Sequence, residues 1–424
     1  MNTFRSWTLP TKVLVGVGAS ALTLFVLVVL KMLWPNSVES RPLNQQRLTG
    51  IADAPIADGG LENQLASIFD KIESNRLDLA MRQTDALLSN YPNFRLGHLI
   101  RGDLLLARSR PLETFGDVGS DLASEKVADL RDEAMARLKA YRTKPPVDYV
   151  PRYLMQMHAE QRYAVVVDTQ KSRLYLYQND GGRPKFVADY YVTQGKLGAD
   201  KVREGDKKTP IGVYHVTSSL PRRGLADLYG TGAYPLDYPN AWDKRQGRDG
   251  HGIWLHGTPS DTYSRPPKAS DGCVVLSNED LDSLAKTFQL GLTPVIISNS
   301  IEWLSQDDWQ AERDALLAVI ESWRSAWESR DEAKYAENYA QQFSADGQDR
   351  EAWLARKHSV NAAKNWIKVN VKNISMFRNP GVEDYVVVTF DQDYRSSNLS
   401  GQMKKRQYWI KESGRWKIVN EDAV

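Results

Sequence analysis

The chain of 424 residues holds one cysteine, Cys273, in the stretch HGTPSDTYSRPPKASDGCVVL (256–276), seventeen positions after His256. A thiol attacks a carbonyl as its anion, so a base or positive field must act on a group whose free pKa is about 8.5. His256 is the nearest candidate in sequence. It follows the strand-like GIWL and precedes a glycine, which places its imidazole at a strand end where loops gather. From there it would take the proton of Cys273 and return it to a leaving amine. Gly272, lacking Cβ, lets the chain turn sharply into the thiol and lets a carbonyl approach the backbone. The N–H groups of Gly272 and Cys273 are then candidate oxyanion donors, each such donor contributing about 3 kcal/mol to transition-state stability. A carboxylate, an amide or a backbone carbonyl would serve equally to orient the imidazole. The alternative use of a lone thiol is as a small buried hydrophobe.

Other histidines compete poorly for these roles. His251 lies five residues before His256, and strand alternation turns it to the opposite side. His215 falls inside the strand pattern GVYHV and reads as structural, and His98 sits in a helical stretch as a packed or solvated side chain. A zinc site is disfavoured, because His251, His256 and Cys273 lack a fourth ligand and a paired-ligand motif. No metal or cofactor is expected. The basic and aromatic stretch YPNAWDKRQGRDGHG (238–252) reads as a long loop, either a lid over the site or an ordinary solvated connection.

The elements that must carry these residues follow from periodicity. From residue 163 the apolar period is two: YAVVVDTQKSRLYLYQNDGGRPKFVADYYVTQG contains strands broken by NDGG, a hairpin signal, and TPIGVYHVTS, GIWLHG and TPVIIS add more. NEDLDSLAKTFQLG is a short helix with a glycine stop. Residues 160–298 thus form a mostly β domain around the motif. Residues 61–145 have helical spacing, with breaks at Ser74-Asn75 and Tyr91-Pro92-Asn93, and resemble tetratricopeptide-type hairpins, too few for a solenoid. Residues 308–424 begin with amphipathic helix carrying Trp309, Trp323, Trp327, Tyr335 and Tyr339, an aromatic stripe best used as core, and continue as strands. This order resembles the NTF2-like cone, in which a curved sheet wraps a helix. The fold class is multidomain α+β.

Composition supplies the address. With 55 Lys+Arg against 53 Asp+Glu, no overall basic field points to nucleic acid. Val13 to Leu30 runs without a charge and is about long enough to span a bilayer, which predicts a transmembrane anchor over 13–34, followed by a linker over 36–60. Arg5 and Lys12 favour a cytoplasmic N-terminus. The expected location is the inner membrane, single-pass, with the bulk of the chain in the periplasm. A lone cysteine forms no internal disulfide there.

The Cys segment is similar to the active-site signature of YkuD-type L,D-transpeptidases, a His-Gly or His-Ser followed by Ser-x-Gly-Cys. GDKKTPIGVYHV resembles that family's Thr-Pro-x-Gly strand, VVVDTQKSRLYLYQNDG its opening hairpin, and LSNEDLDSLAKTFQLGLTPVII its closing helix and strand. The resemblance implies a β-sandwich-like fold and peptidoglycan stem peptides as substrate, with Cys273 as nucleophile and His256 as base. It further implies that the Gly257 carbonyl orients the imidazole, that Gly272 and Cys273 bound the oxyanion hole, and that Ser270 supports the loop. Asp271 and Val275 stand where many members have His and Arg, a departure that resembles the YafK-like branch, some of whose members hydrolyse rather than join. The expected activity is therefore L,D-transpeptidation, with a peptidoglycan hydrolase or amidase using the same pair as the second reading and a non-catalytic cell-wall-binding scaffold as the third. The helical or C-terminal domain is the candidate docking surface for a cell-wall or envelope protein.

Overall fold

A computed structural model describes residues 60–117 and 124–424, so the segment expected to span the membrane at 13–34 lies outside it. Among the described residues no helix is long and apolar enough to cross a membrane. The chain divides into two compact units, one ending at Leu138 and one running from Lys139 to Val424.

The first unit is helical: α1 (Gly60–Glu73), α2 (Leu77–Asn90), α3 (Arg95–Leu106) and α4 (Ser124–Arg142), whose end enters the second unit. The apolar positions spaced three and four apart bury, among them Leu65, Ile68, Ala80, Leu87 and Ile100. Asn75, in the left-handed region at φ 56°, turns the chain between α1 and α2. Arg137 is buried with Glu133 at 2.8 Å, also pairs with Glu62, and stacks over Phe94. The His98 ring meets the Pro92 carbonyl at 2.8 Å.

The second unit opens with two short strands, β1 (Tyr149–Pro151) and β2 (Leu154–Gln156). Then come β3 (Tyr163–Asp168), β4 (Arg173–Asp180), β5 (Arg183–Tyr191), β6 (Gln194–Gly195), β7 (Gly212–His215), β8 (Leu220–Pro221) and β9 (Gly232–Pro235). After the short helix α5 (Ala241–Arg245) follow β10 (Trp254–His256), β11 (Lys268–Ser270), β12 (Val274–Val275), α6 (Asn278–Ala285), β13 (Pro294–Ser298) and β14 (Trp303–Ser305). One sheet has the order β5-β4-β3-β13-β7 and a second β12-β10-β9-β8. Gly181 and Gly182, both at positive φ, make the tight turn between β4 and β5. Val165, Val167, Leu174, Val295 and Ile297 on one face of the first sheet pack against Leu255 and Val274 of the second and against Leu281 and Leu284 of α6.

The C-terminal part contains α7 (Gln306–Ser329), α8 (Glu332–Glu337), the hairpin β15 (Ser344–Ala345) and β16 (Gln348–Asp349), and α9 (Arg350–Ala362). Four long antiparallel strands complete it: β17 (Ile367–Arg378), β18 (Tyr385–Ser396), β19 (Ser400–Glu412) and β20 (Arg415–Ala423). Trp309, Trp323, Trp327, Tyr335 and Tyr339 are all buried, and the last four pack with Val386, Val388, Phe390 and Trp409 inside the curve of the sheet. The aromatic stripe is core.

Two features join this part to the site-bearing sheets. The strand β2 is the edge of the C-terminal sheet, pairing antiparallel with β17, while β1 pairs with β14. In addition, the face of β3 and β13 that carries Ala164, Val166 and Ile296 packs with Phe377, Tyr385, Val387 and Tyr408 of the C-terminal sheet. Strands buried on both faces read as continuous apolar runs, which explains AVVV and VII.

The segment 238–252 is not solvated throughout: its first part is folded and buried, its later part is largely exposed, and Gly252 at its end meets the Cys273 thiol. Asn240 and Asp243 form a capping box that starts α5, and Trp242 is buried from there into the C-terminal domain. Its indole lies 4.2 Å from the Tyr385 ring and 5.3 Å from that of Tyr408, and its N–H donates to Glu383 at 2.7 Å. The aromatic burial outweighs the solvation of a short, charged stretch.

Candidate active site

The parallel pairing of β10 with β12 sets Leu255 opposite Val274 and His256 opposite Val275. Cys273, just before β12, is thus level with Trp254 and diagonal to His256. The imidazole is buried, its Nδ1–H donates to the Gly257 carbonyl at 2.7 Å, and the edge-on ring of Tyr229 lies 5.1 Å away. This fixes one tautomer and leaves Nε2 as the proton acceptor. Gly257 is held in turn: its N–H donates to the Tyr229 carbonyl at 3.0 Å, and a Cβ there would meet Asn278 Oδ1 at 2.1 Å.

The thiol loop is built from glycine and two hydroxyls. Gly272 has φ +132°, and a Cβ on it would come within 2.8 Å of the Lys208 carbonyl. Thr209 Oγ1 donates to the Gly272 carbonyl at 2.9 Å, and Ser270 Oγ donates to the Cys273 carbonyl at 2.6 Å. Ser270 Oγ also accepts the Gly272 N–H at 3.1 Å, which corrects the expectation that this N–H faces an oxyanion. Satisfying a buried donor inside the turn takes precedence over leaving it open. The Cys273 N–H has no hydrogen-bond partner among the described residues. Asp271 points outward, largely exposed, and pairs with Lys196 at 3.2 Å.

Cys273 Sγ donates to the Gly252 carbonyl at 3.3 Å and makes no hydrogen bond to His256 among the described residues. The cause is the register, which sets the imidazole one diagonal step along the sheet. Electrostatics agree with a resting, uncharged pair. Burial drives the His256 pKa down to about 4, against the Gly257 hydrogen bond and with the repulsion of Arg265. Burial likewise drives the Cys273 pKa up to about 11, opposed by the Trp254 N–H and by Arg265 and aided by Asp271. Between these values both groups are neutral. Because Cys273 is the sole cysteine, alkylation of the free protein by iodoacetamide should be slow at neutral pH and rise towards a midpoint near 11. A reactive thiolate titrating below pH 8 would contradict this account of the resting site.

Residues that spacing could not single out complete the site. Asp206, within GDKKTP, accepts from Lys201 Nζ at 2.8 Å and from the backbone N–H groups of Val202, Arg203 and Lys208. Burial opposes its ionisation, yet these donors hold its pKa at about 2. The loop so fixed carries the Lys208 carbonyl and Thr209 beneath Gly272. Asn278 pins the other side, accepting from Thr231 N–H at 3.0 Å and donating to the Thr258 carbonyl at 3.0 Å. His251 is exposed beside Glu204 at 3.6 Å, and His215 is structural, with its backbone N–H on Asp237 at 2.7 Å and its ring against Phe377. Among the described residues no group of three or more acidic, histidine or cysteine side chains is placed to hold a metal ion.

The YkuD family, described as the L,D-transpeptidase catalytic domain, matches residues 162–297, and the Cds6 C-terminal NTF2-like domain matches residues 315–422. No curated protein matches the sequence. Among solved structures, Bd1075 of Bdellovibrio bacteriovorus is 30% identical, with a TM-score of 0.59 over 65% of this chain and 98% of that one. The helical cell shape determining protein Pgp2 of Campylobacter jejuni is 26% identical, with a TM-score of 0.54 over 64% of this chain and 95% of that one. The chain belongs to the YkuD-type L,D-transpeptidase family, with a C-terminal NTF2-like domain.

Proposed function

We propose that this protein is a periplasmic cysteine L,D-transpeptidase that acts on peptidoglycan stem peptides through a thioester on Cys273. The observation that carries the reading is the 2.7 Å hydrogen bond from His256 Nδ1 to the Gly257 carbonyl. It commits one ring nitrogen to the backbone and leaves the other to serve the thiol on the neighbouring strand. Substrate entry turns Sγ away from the Gly252 carbonyl and towards Nε2. Sulfur then bonds to the carbonyl carbon of the third stem residue as its proton passes to Nε2, and the Cys273 N–H receives the developing oxyanion. Collapse breaks the C–N bond, His256 protonates the departing D-Ala amine, and the acyl group remains on sulfur. An acceptor amine attacks the thioester, loses its proton to His256, and the expelled thiolate recovers that proton.

A peptidoglycan hydrolase is the second reading, with water in place of the amine. Val275, where many family members have arginine, is buried in β12 and offers no charge to a second peptide. The periplasmic address rests on the uncharged run at 13–30. A role in cell shape is supported by likeness to Pgp2, which is described as a helical cell shape determining protein.

The deciding experiment incubates the purified protein with tetrapeptide muropeptides and weighs the products. Cross-linked dimers are the expected result. Stems shortened by one D-Ala without dimers favour the hydrolase, and unchanged muropeptides overturn catalysis and leave the scaffold reading.

A further inference from the structure

Arg265 lies in the segment between His256 and Cys273. Its backbone is fixed, with the carbonyl accepting from Tyr191 Oη at 2.9 Å and Thr193 Oγ1 at 3.0 Å. The half-buried side chain folds over the thiol loop, and Nη2 donates to the carbonyl of Ala269, four residues before Cys273. A guanidinium has five N–H donors, and this one has no carboxylate within ion-pair distance among the described residues. The nearest candidates are otherwise engaged: Asp271 pairs with Lys196 at 3.2 Å. That pair also removes Lys196 as a free cation.

A partly desolvated guanidinium without a counter-charge costs stability in the free protein unless a ligand supplies the charge. Burial lowers the Arg265 pKa, while Asp271 and the Cys273 thiol pull it upward, and the same cation acts on both Cys273 and His256. The geometry sets the guanidinium on the carbonyl of Ala269, next in sequence to Ser270, whose hydroxyl holds the Cys273 carbonyl, so Arg265 borders the thiol loop.

We infer that Arg265 receives the free terminal carboxylate of the peptide donor and so selects peptides cleaved at their last residue over peptides cleaved internally. The inference rests on the proposed reaction at Cys273. In that reaction the departing residue carries a carboxylate two bonds beyond the scissile nitrogen, and a planar guanidinium can hold both of its oxygens.

The test compares a tetrapeptide stem ending in the free acid with the same stem ending in the amide. Wild type should prefer the acid by about 10- to 100-fold in kcat/KM, the range expected for a charge-assisted hydrogen-bonded pair. In Arg265→Gln, which keeps an N–H for Ala269 but no charge, the preference should fall close to one, and Arg265→Lys should restore part of it. A residue that only tethers the loop would lower both rates and leave their ratio unchanged, which overturns the inference. If wild type turns over neither peptide, the proposed reaction fails instead. Binding of the same two peptides to Cys273→Ala then decides the matter: tighter binding of the acid that disappears on adding Arg265→Gln supports the carboxylate site, and equal binding overturns it.

Discussion

Replacing Cys273 with alanine is expected to abolish turnover of tetrapeptide muropeptides, a loss on the order of 10⁶-fold where removal of a nucleophile has been measured in a triad enzyme. The side-chain hydrogen bonds lost among the described residues are weak sulfur contacts, Sγ to the Gly252 carbonyl at 3.3 Å and the Trp254 N–H to sulfur. The melting temperature should therefore stay within a few degrees of wild type, which separates lost chemistry from lost structure. Acid-quenched wild type should carry the mass of a bound stem tripeptide, and the variant should not. Turnover surviving in Cys273→Ala would remove the thioester mechanism altogether.

His256→Gln is the second large effect, with kcat/KM falling by about 10²- to 10⁴-fold, the usual contribution of a positioned general base. The sign of its pH dependence follows from burial. The imidazole accepts a proton only when neutral, and its pKa lies at about 4. Wild-type kcat/KM should thus rise through pH 4 and stay level across neutrality, because the Cys273 thiol does not ionise until about pH 11. The glutamine variant should lose the acid limb along with the rate. A wild-type limb near pH 6.5, the ordinary value for histidine, would show that the ring is more hydrated in solution than its buried position indicates.

That His256 closes a strand and that Cys273 follows a glycine turn were legible from residue type and spacing, because a strand before the histidine and a glycine before the thiol are local signals. So were the hairpin at Gly181-Gly182 and the aromatic core around Trp323. The occupation of the Gly272 N–H by Ser270 was not, because a hydroxyl rotor two residues away leaves no periodic trace. Nor was the burial of Trp242: a short, charged stretch looks solvated until the partner rings of Tyr385 and Tyr408, more than a hundred residues away, are in place. Arg265 was hidden among polar residues of a loop, and only the fold brings its guanidinium onto Ala269.

The strand β2 lies before the YkuD-matching region in sequence but completes the sheet after it. The two sheet systems are therefore interlaced along the polypeptide, and a genetic crossover at either edge of residues 162–297 would orphan a strand rather than exchange a module. Residues 149–424 are therefore expected to fold and to be inherited as one unit, and cutting the chain between its two halves would expose unpaired strand edges on both.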